Sequence, residues 1–306
     1  MNHYRKVVIF LILLISCYKD PRPIEIFEID NDKIERKALI IGVDGVRSEA
    51  ISSNSTPFIY NTLSKKNVYF NLSSIVEEHT LSGPNWSSLL TGVHLNKHNV
   101  TDNSFNNHNL HQHPPFFKYI EDLTIQKNTV SIVNWQPIND NIISTHVDYS
   151  ISNINDSNVF NTAKELLINL NPFNPDLVFI HFDELDAVGH QYGFSSLNIE
   201  YINQLNILDS YIEELYKLIE EKRSFGEDWI IFIVSDHGGD GTSHYDNNNP
   251  HINKTLFISE HPSITFKNNY INNMTDLPIS IMTFLGLYNN NFYSNTDGNV
   301  IFFEED

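Results

Sequence analysis

The sequence predicts an α/β fold with a mostly parallel sheet, and three observations lead to this prediction. Three short apolar runs are rich in Val and Ile, as strands buried on both faces are. Helical patterns alternate with these runs, which is typical of a parallel sheet. Each run is followed by Asp or His. The runs are Ala38–Val43, Leu177–Ile180 and Trp229–Val234, and the helical patterns cover Thr56–Lys66, Phe160–Leu170 and Asn198–Glu221.

The ends of the apolar runs carry the first candidate functional residues. Asp44 closes the first run, His181-Phe182-Asp183 follows the second, and Asp236-His237 follows the third. In open parallel sheets, binding sites form at the carboxyl ends of the strands. We therefore expect Asp44, Asp236 and His237 to share one edge of the sheet.

Composition and charge restrict the class of protein. The chain has 306 residues, of which 41% are hydrophobic, enough for a sizeable core in one large domain. Its formal net charge is −19, which argues against binding nucleic-acid polymers, because these require a basic surface. A phosphate-containing substrate stays compatible with this charge, because bound cations reverse the local potential.

The N-terminus has the pattern of an export signal. Arg5 and Lys6 precede the apolar run Val7–Ile15, which is too short to span a bilayer. Leu14-Ile15-Ser16-Cys17 resembles a bacterial lipobox, so we expect lipid on Cys17. The alternative is an ordinary signal peptide or a signal anchor that ends in Cys. Cys17 is the only cysteine, so the chain has no intrachain disulfide.

These patterns predict three segments. Residues 1–16 are expected to be a lipoprotein signal peptide, and residues 17–36, with Pro21 and Pro23, a tether. Residues 37–306 are expected to form the catalytic domain. The protein would then be exported and lipid-anchored to a bacterial membrane, in the periplasm or at the cell surface.

Six residues have the chemistry of metal ligands. They comprise three carboxylates and three imidazoles without a thiolate, a set that suits zinc, manganese or iron. Two sites of three ligands each would leave positions open for water and substrate. Any one of them alone could be a cap or a satisfied polar residue, so the prediction depends on the whole set. The six are Asp44, Asp186, His190, Asp236, His237 and His244.

A serine lies where a helix is expected to begin. Pro84 suits the first turn of a helix, which places Ser82 at the helix N-terminus, where N–H groups favour a phosphoryl group. Serine alone is a weak nucleophile, but contact with a metal ion would lower the pKa of its hydroxyl. The alternative is that Ser82 is simply an N-cap.

Taken in order, these segments resemble the alkaline phosphatase superfamily, in particular its type I phosphodiesterase/nucleotide pyrophosphatase branch. The resemblance runs from Lys37 to the C-terminus and implies an alkaline-phosphatase-like three-layer α/β/α sandwich. The matching motifs are Asp44-Gly45, Ser82-Gly83-Pro84-Asn85 with Thr91-Gly92, Asp186 to His190, and Asp236-His237-Gly238.

The resemblance also implies roles. The chain would hydrolyse phosphate esters through a covalent phosphoseryl intermediate, with two divalent ions, most simply Zn²⁺. Ser82 would be the nucleophile and a ligand that bridges both ions, and Asn103 would hold a phosphoryl oxygen. Asp186, His190 and His244 would bind one ion, and Asp44, Asp236 and His237 the other.

Several alternatives stay open at this point. His251 could replace His244 as the last ligand, because the family often has His-Gly where this chain has His244-Tyr245. Thr80 is a competing nucleophile, although it lies four residues before Pro84. The enzyme could instead be a phosphomonoesterase or a phosphonate hydrolase, or the chain a non-catalytic metal-binding surface lipoprotein. The sulfatase motif Cys/Ser-x-Pro-x-Arg is excluded, because Trp86 stands at its last position.

Overall fold

The computed structural model describes residues 35–123, 127–168 and 171–303. The predicted signal peptide, Cys17 and nearly all of the predicted tether lie outside these residues. Among the helices described, none is long and apolar enough to cross a membrane.

Seven strands of the described residues form one sheet: β1 (Arg36–Val43), β2 (Val68–Ile75), β3 (Thr129–Val133), β4 (Tyr149–Ile151), β5 (Leu177–Phe182), β6 (Asp228–Val234) and β7 (Lys254–Glu260). Their order across the sheet is β2-β7-β6-β1-β5-β3-β4. Strand β7 is antiparallel to both neighbours, and the other neighbouring pairs are parallel. The three predicted strands therefore form the centre of a mostly parallel sheet, as expected.

The helices of the described residues are α1 (Ser82–Thr91), α2 (Leu95–His98), α3 (Phe116–Leu123), α4 (Asp156–Leu167), α5 (Glu184–Tyr192), α6 (Ile199–Ser224), α7 (Asp276–Phe284) and α8 (Asn290–Asn295). Short 3-10 turns cover Ser48–Ala50 and Leu63–Lys65, and π-helical turns cover Phe58–Thr62 and Ile138–Ile143. The predicted helix at 56–66 is thus a π-helical turn followed by a 3-10 turn, whereas α4 and α6 match the other two predictions closely.

Alternation along the strands divides the core into two layers. In β1, Ala38 and Ile40 face a cluster that includes side chains of α1, α3 and α7, whereas Leu39 and Ile41 face one that includes α4, α5 and α6. This follows from the two-residue period of a strand, which sends successive side chains to opposite faces. The result confirms the predicted three-layer α/β/α sandwich.

Candidate metal centre and nucleophile

The carboxyl ends of the two central strands bring three of the predicted ligands together. Asp44 directly follows β1, and Asp236 and His237 follow β6, which pairs with β1 in parallel. All three side chains are fully buried. The common edge expected from the strand ends is therefore present.

A second group of ligands comes from α5 and from the loop after β6. Asp186 and His190 are four residues apart on α5, so they lie on the same face of that helix. Nε2 of His190 lies 3.3 Å from Oδ2 of Asp186 and 3.1 Å from Nε2 of His244. Asp186, His190 and His244, assigned to one ion from the resemblance, are thus close together.

Backbone carbonyls fix the ring orientations in this group. Nδ1 of His190 donates to the carbonyl of Thr242 over 3.0 Å, and Nδ1 of His244 donates to that of Thr80 over 2.6 Å. In neutral rings each Nε2 therefore carries a lone pair, as a metal ligand requires. The hydrogen bond to Asp186 raises the pKa of His190 to about 9, whereas burial lowers the pKa of His244 to about 4.

The other group converges on Nε2 of His237. This atom lies 3.4 Å from Oδ1 of Asp44, 3.3 Å from Oδ2 of Asp236 and 3.4 Å from Oγ of Ser82. Nδ1 of His237 donates to the carbonyl of Gly238 over 2.8 Å, so Nε2 is again left as the coordinating atom. The His237 ring also stacks on His244, with centroids 3.9 Å apart, so the two groups adjoin.

The buried carboxylates of the site lie close together, so their negative charges favour a bound cation. Burial raises the pKa of Asp44, but the hydrogen bond from His181 and the charges of His237 and His181 outweigh burial and hold it at about 2. Burial and the charges of Asp44 and Asp186 raise the pKa of Asp236 well above its usual value. Two of these carboxyl groups can therefore both be ionised only when a cation lies beside them.

The residues present fit the binding of divalent cations. Among the described residues, the buried atoms Oδ1 of Asp44, Oδ1 of Asp186 and Oδ2 of Asp236 have no hydrogen-bond partner. Tetrahedral coordination at about 2.0–2.1 Å would put ligand atoms about 3.3–3.4 Å apart. Neighbouring ligand atoms within each group lie 3.1–3.4 Å apart. The orphaned oxygens of Asp44 and Asp236 thus lie at this spacing from a ring nitrogen, as metal binding requires.

Ser82 is the first residue of α1, as predicted, and is nearly buried. Oδ1 of Asn103 accepts the N–H of Gly83 over 2.7 Å, which holds the Asn103 amide beside the start of α1. Asn85 donates its N–H to the carbonyl of Leu81, and Pro84 has no N–H. Three of the first four positions of α1 thus have no free N–H for a phosphoryl oxygen, so Nδ2 of Asn103 gains importance as a donor.

The geometry also separates the alternatives left by the sequence. His251 binds Glu49 through Nδ1 over 3.0 Å, while His244 lies among the ligands. The hydroxyl of Thr80 donates to the backbone carbonyl of His244, and the Thr80 carbonyl accepts from the His244 ring. Thr80 therefore orients His244, and its hydroxyl is already engaged.

Sequence reasoning assigned no role to four residues that the structure places around the ligands. His181 and Trp86 both donate to Asp44. Asp183 lies near Asp44 and His181, and burial, with the charge of Asp44, raises the pKa of Asp183 to about 7. Asn85 is fully buried and braces the loop before Ser82 by accepting from the Glu77 N–H and donating to two carbonyls. For His181, a signal was present in the sequence: the two-residue period of β5 places it on the side of the sheet that packs against α1.

Comparison with known proteins gives a family match over most of the chain. The profile of the family described as Type I phosphodiesterase / nucleotide pyrophosphatase matches residues 38–272. Bis(5'-adenosyl)-triphosphatase ENPP4 of Bos taurus is 25% identical over 223 residues, which cover 66% of this chain and 47% of that protein. GPI ethanolamine phosphate transferase 1 of Aspergillus fumigatus is 32% identical over 108 residues, which cover 30% of this chain and 10% of that protein. The match thus spans less than half the length of these curated relatives.

Among solved structures, murine ectonucleotide pyrophosphatase/phosphodiesterase 5 is similar, with a TM-score of 0.64 and 15% sequence identity. The superposition covers 85% of this chain and 99% of that one. At this identity, the likeness establishes a shared fold.

Proposed function

The chain belongs to the type I phosphodiesterase/nucleotide pyrophosphatase family, and we propose that it is a metal-dependent phosphodiesterase with Ser82 as its nucleophile. One observation carries the proposal: Oγ of Ser82, at the start of α1, lies 3.4 Å from Nε2 of His237, on which two buried carboxylates also converge. A hydroxyl beside so many ligand atoms is in the position of an activated nucleophile.

The donor set favours two zinc ions. Asp186, His190 and His244 would hold one, and Asp44, Asp236 and His237 the other, with Ser82 as a further ligand. Carboxylate and imidazole ligands suit zinc, and three protein ligands per ion leave room for water and substrate. Bound zinc would supply Lewis acidity, lowering the pKa of a hydroxyl that it contacts and neutralising charge that develops on oxygen.

The chain's own residues then carry out two displacements. In the first, Ser82 Oγ bonds to phosphorus as the bond to the leaving oxygen breaks; the Ser82 proton goes to solvent, and the leaving group takes one up. In the second, water bonds to phosphorus, the Ser82 Oγ–P bond breaks, and Ser82 regains a proton. Throughout, Nδ2 of Asn103 donates to a non-bridging phosphoryl oxygen, since Oδ1 is held by Gly83.

The distribution of arginines favours diesters over monoesters. A monoester carries a second negative charge, for which a bidentate arginine would be the natural partner. Arg47, the arginine nearest in sequence to Asp44, binds Asp240, Glu49 and the carbonyl of Phe194. The other arginines of the described chain, Arg36 and Arg223, pair with acidic residues elsewhere. The singly charged phosphodiester therefore suits the site better.

The names of two relatives suggest what the ester groups could be. A bis(5'-adenosyl)-triphosphatase among them supports nucleotide-containing substrates for this chain. The match to an ethanolamine phosphate transferase supports a second candidate, in which an acceptor hydroxyl replaces water in the second displacement. Both candidates share the first displacement at Ser82.

A substrate screen tests the proposal. The zinc-loaded protein is assayed with bis-p-nitrophenyl phosphate, p-nitrophenyl phosphate and a dinucleoside polyphosphate, before and after removal of metal by a chelator. We expect the diester to be hydrolysed faster than the monoester, with activity lost on chelation and restored by zinc. Equal turnover after complete metal removal would contradict metal dependence, and preference for the monoester would contradict the diester assignment.

A further inference from the structure

One oxygen of Asp44 is fully occupied by two hydrogen-bond donors. Nε1 of Trp86 donates to Oδ2 over 2.9 Å, and Nε2 of His181 donates to the same atom over 3.2 Å. An indole N–H is a donor only, and a carboxylate accepts, so both directions are unambiguous. All three side chains are buried, so water does not compete for these bonds.

The other oxygen of Asp44 faces the metal centre. Among the described residues, Oδ1 has no hydrogen-bond partner, and it lies 3.4 Å from Nε2 of His237. Since His237 uses Nδ1 to bind the carbonyl of Gly238, its Nε2 also presents a lone pair. Two acceptors facing each other at this distance repel each other unless a proton or a metal ion lies between them.

Packing prevents the two donors from moving away. A methyl group on Gly42 would come within 2.6 Å of the Trp86 ring, so the indole fills the space left by the missing side chain. Gly42 is paired with His181 across β1 and β5, and the His181 and Trp86 rings meet edge to face with centroids 4.8 Å apart. The carboxylate of Asp44 is therefore held by rigid neighbours.

The same helix supplies both the nucleophile and one of these donors. Ser82 and Trp86 are four residues apart on α1, so their side chains lie on one face of the helix. Ser82 Oγ reaches His237, while Trp86 reaches Asp44, and both of these residues belong to the second ligand group. The position of α1 thus fixes the nucleophile and the ligand geometry together.

We propose that Trp86 and His181 are positioning residues that leave Asp44 a single oxygen, Oδ1, for metal binding. This inference rests on the two-metal site of the proposed function. It adds that the two donors affect the binding of one ion and not of the other. Loss of either donor would free Asp44 to rotate and weaken the ion held with Asp236 and His237. The ion held by Asp186, His190 and His244 would keep its affinity, because in the described part of the chain none of those three residues has a hydrogen bond, ion pair or ring contact with either donor. Losing such a supporting hydrogen bond typically costs 10–100-fold in metal affinity.

The variants are Trp86→Phe, His181→Leu and His181→Gln, with Trp229→Phe as the matched control. Trp86→Phe keeps an aromatic ring but removes the N–H, and His181→Gln restores a side-chain donor that His181→Leu lacks. Trp229 is equally buried and donates its own indole N–H to Glu227 over 2.7 Å, at the opposite end of the sheet. Circular dichroism of each metal-free variant reports folding independently.

The measurement is equilibrium zinc binding in competition with a chromophoric chelator. For Trp86→Phe and His181→Leu we expect one ion bound as in the wild type and the other weakened about 10–100-fold. His181→Gln should recover most of the loss, and Trp229→Phe should bind both ions normally. Wild-type affinity for both ions in Trp86→Phe and His181→Leu would overturn the inference while leaving the proposed function intact. A wild-type protein that binds no zinc would instead overturn the proposed function, and this inference with it.

Discussion

Nε2 of His190 and Nε2 of His244 lie 3.1 Å apart, although both rings donate Nδ1–H to backbone carbonyls. In neutral rings, two lone pairs therefore point into one gap, where they repel each other unless a proton or a metal ion lies between them. The hydrogen bond that His190 donates to Asp186 favours the protonated ring and raises the pKa of His190 to about 9. In the proposed function, a metal ion held by these three side chains would take the place of this proton.

The first prediction concerns this metal site. His244→Ala should bind one zinc ion fewer per chain than the wild type, because it removes one of three ligands, and should lose most phosphodiesterase activity. Elemental analysis after dialysis against zinc measures the stoichiometry. His251→Ala is the matched control and should keep both ions, since His251 binds Glu49 instead. Loss of an ion from His251→Ala but not from His244→Ala would reverse the ligand assignment.

The second prediction concerns Asn103. Because Oδ1 is held by Gly83 N–H, the Nδ2 group is the part free to bind a phosphoryl oxygen. Asn103→Ala should lower kcat by about 10²–10³-fold, the usual cost of one lost donor to a developing oxyanion. Steady-state kinetics on bis-p-nitrophenyl phosphate give the value. Asn106→Ala, in the same exposed loop, should leave kcat unchanged, and an equally active Asn103→Ala would exclude Asn103 from catalysis.

The third prediction concerns acid stability. Nδ1 of His98 accepts the N–H of Val100 and Nε2 donates to Ser88, so the folded protein holds the neutral ring. Burial lowers the pKa of His98 from 6.5 to about 4. The unfolded chain therefore binds more protons between these values, so this contribution is complete above pH 6.5 and is lost as pH falls towards 4. The full contribution of His98 to the free energy of unfolding is on the order of 3 kcal/mol.

Urea unfolding of metal-free protein between pH 5 and 7 measures this effect. His98→Asn keeps an acceptor for Val100 but cannot titrate, so its free energy of unfolding should fall less steeply as pH decreases. Identical pH slopes for the wild type and the variant would show that His98 does not contribute.

The fourth prediction concerns the N-terminus, which lies outside the described residues. Cys17 is the only cysteine and ends a lipobox-like sequence, so we propose that it carries the lipid anchor. In a lipoprotein-processing host, Cys17→Ala should abolish labelling by a fatty-acid analogue and leave the precursor uncleaved. A wild-type chain without label would contradict lipid anchoring.

The parts of the structure that depend on local sequence could be predicted. Pro84 favours a helix start, and α1 begins at Ser82. The continuous apolar runs predicted the central strands, and the acids after them predicted the ligand-bearing edge. Strands β2, β3, β4 and β7 were not predicted. Strand β2 is only partly buried, β3 and β4 have only 5 and 3 residues, and the antiparallel pairing of β7 depends on contacts distant in sequence.

The residues around Asp44 could not be assigned from sequence, because their roles depend on the pairing of β1 with β5. His181 lies within an apolar strand and Trp86 within a buried helix, where both have the pattern of core residues. Only the register that pairs Gly42 with His181 brings both side chains to one carboxylate oxygen.

The most direct test of the account is the activity of Ser82→Ala beside that of Thr80→Val, both loaded with zinc. Thr80 donates its hydroxyl to a backbone carbonyl, so its loss should cost about 0.5–1.5 kcal/mol of stability and less than tenfold in turnover. Ser82→Ala should fold, should bind zinc, and should lose turnover of bis-p-nitrophenyl phosphate by several orders of magnitude, as expected when a covalent nucleophile is removed. Near-normal turnover by a folded, zinc-loaded Ser82→Ala protein would contradict the covalent mechanism and indicate direct attack by water.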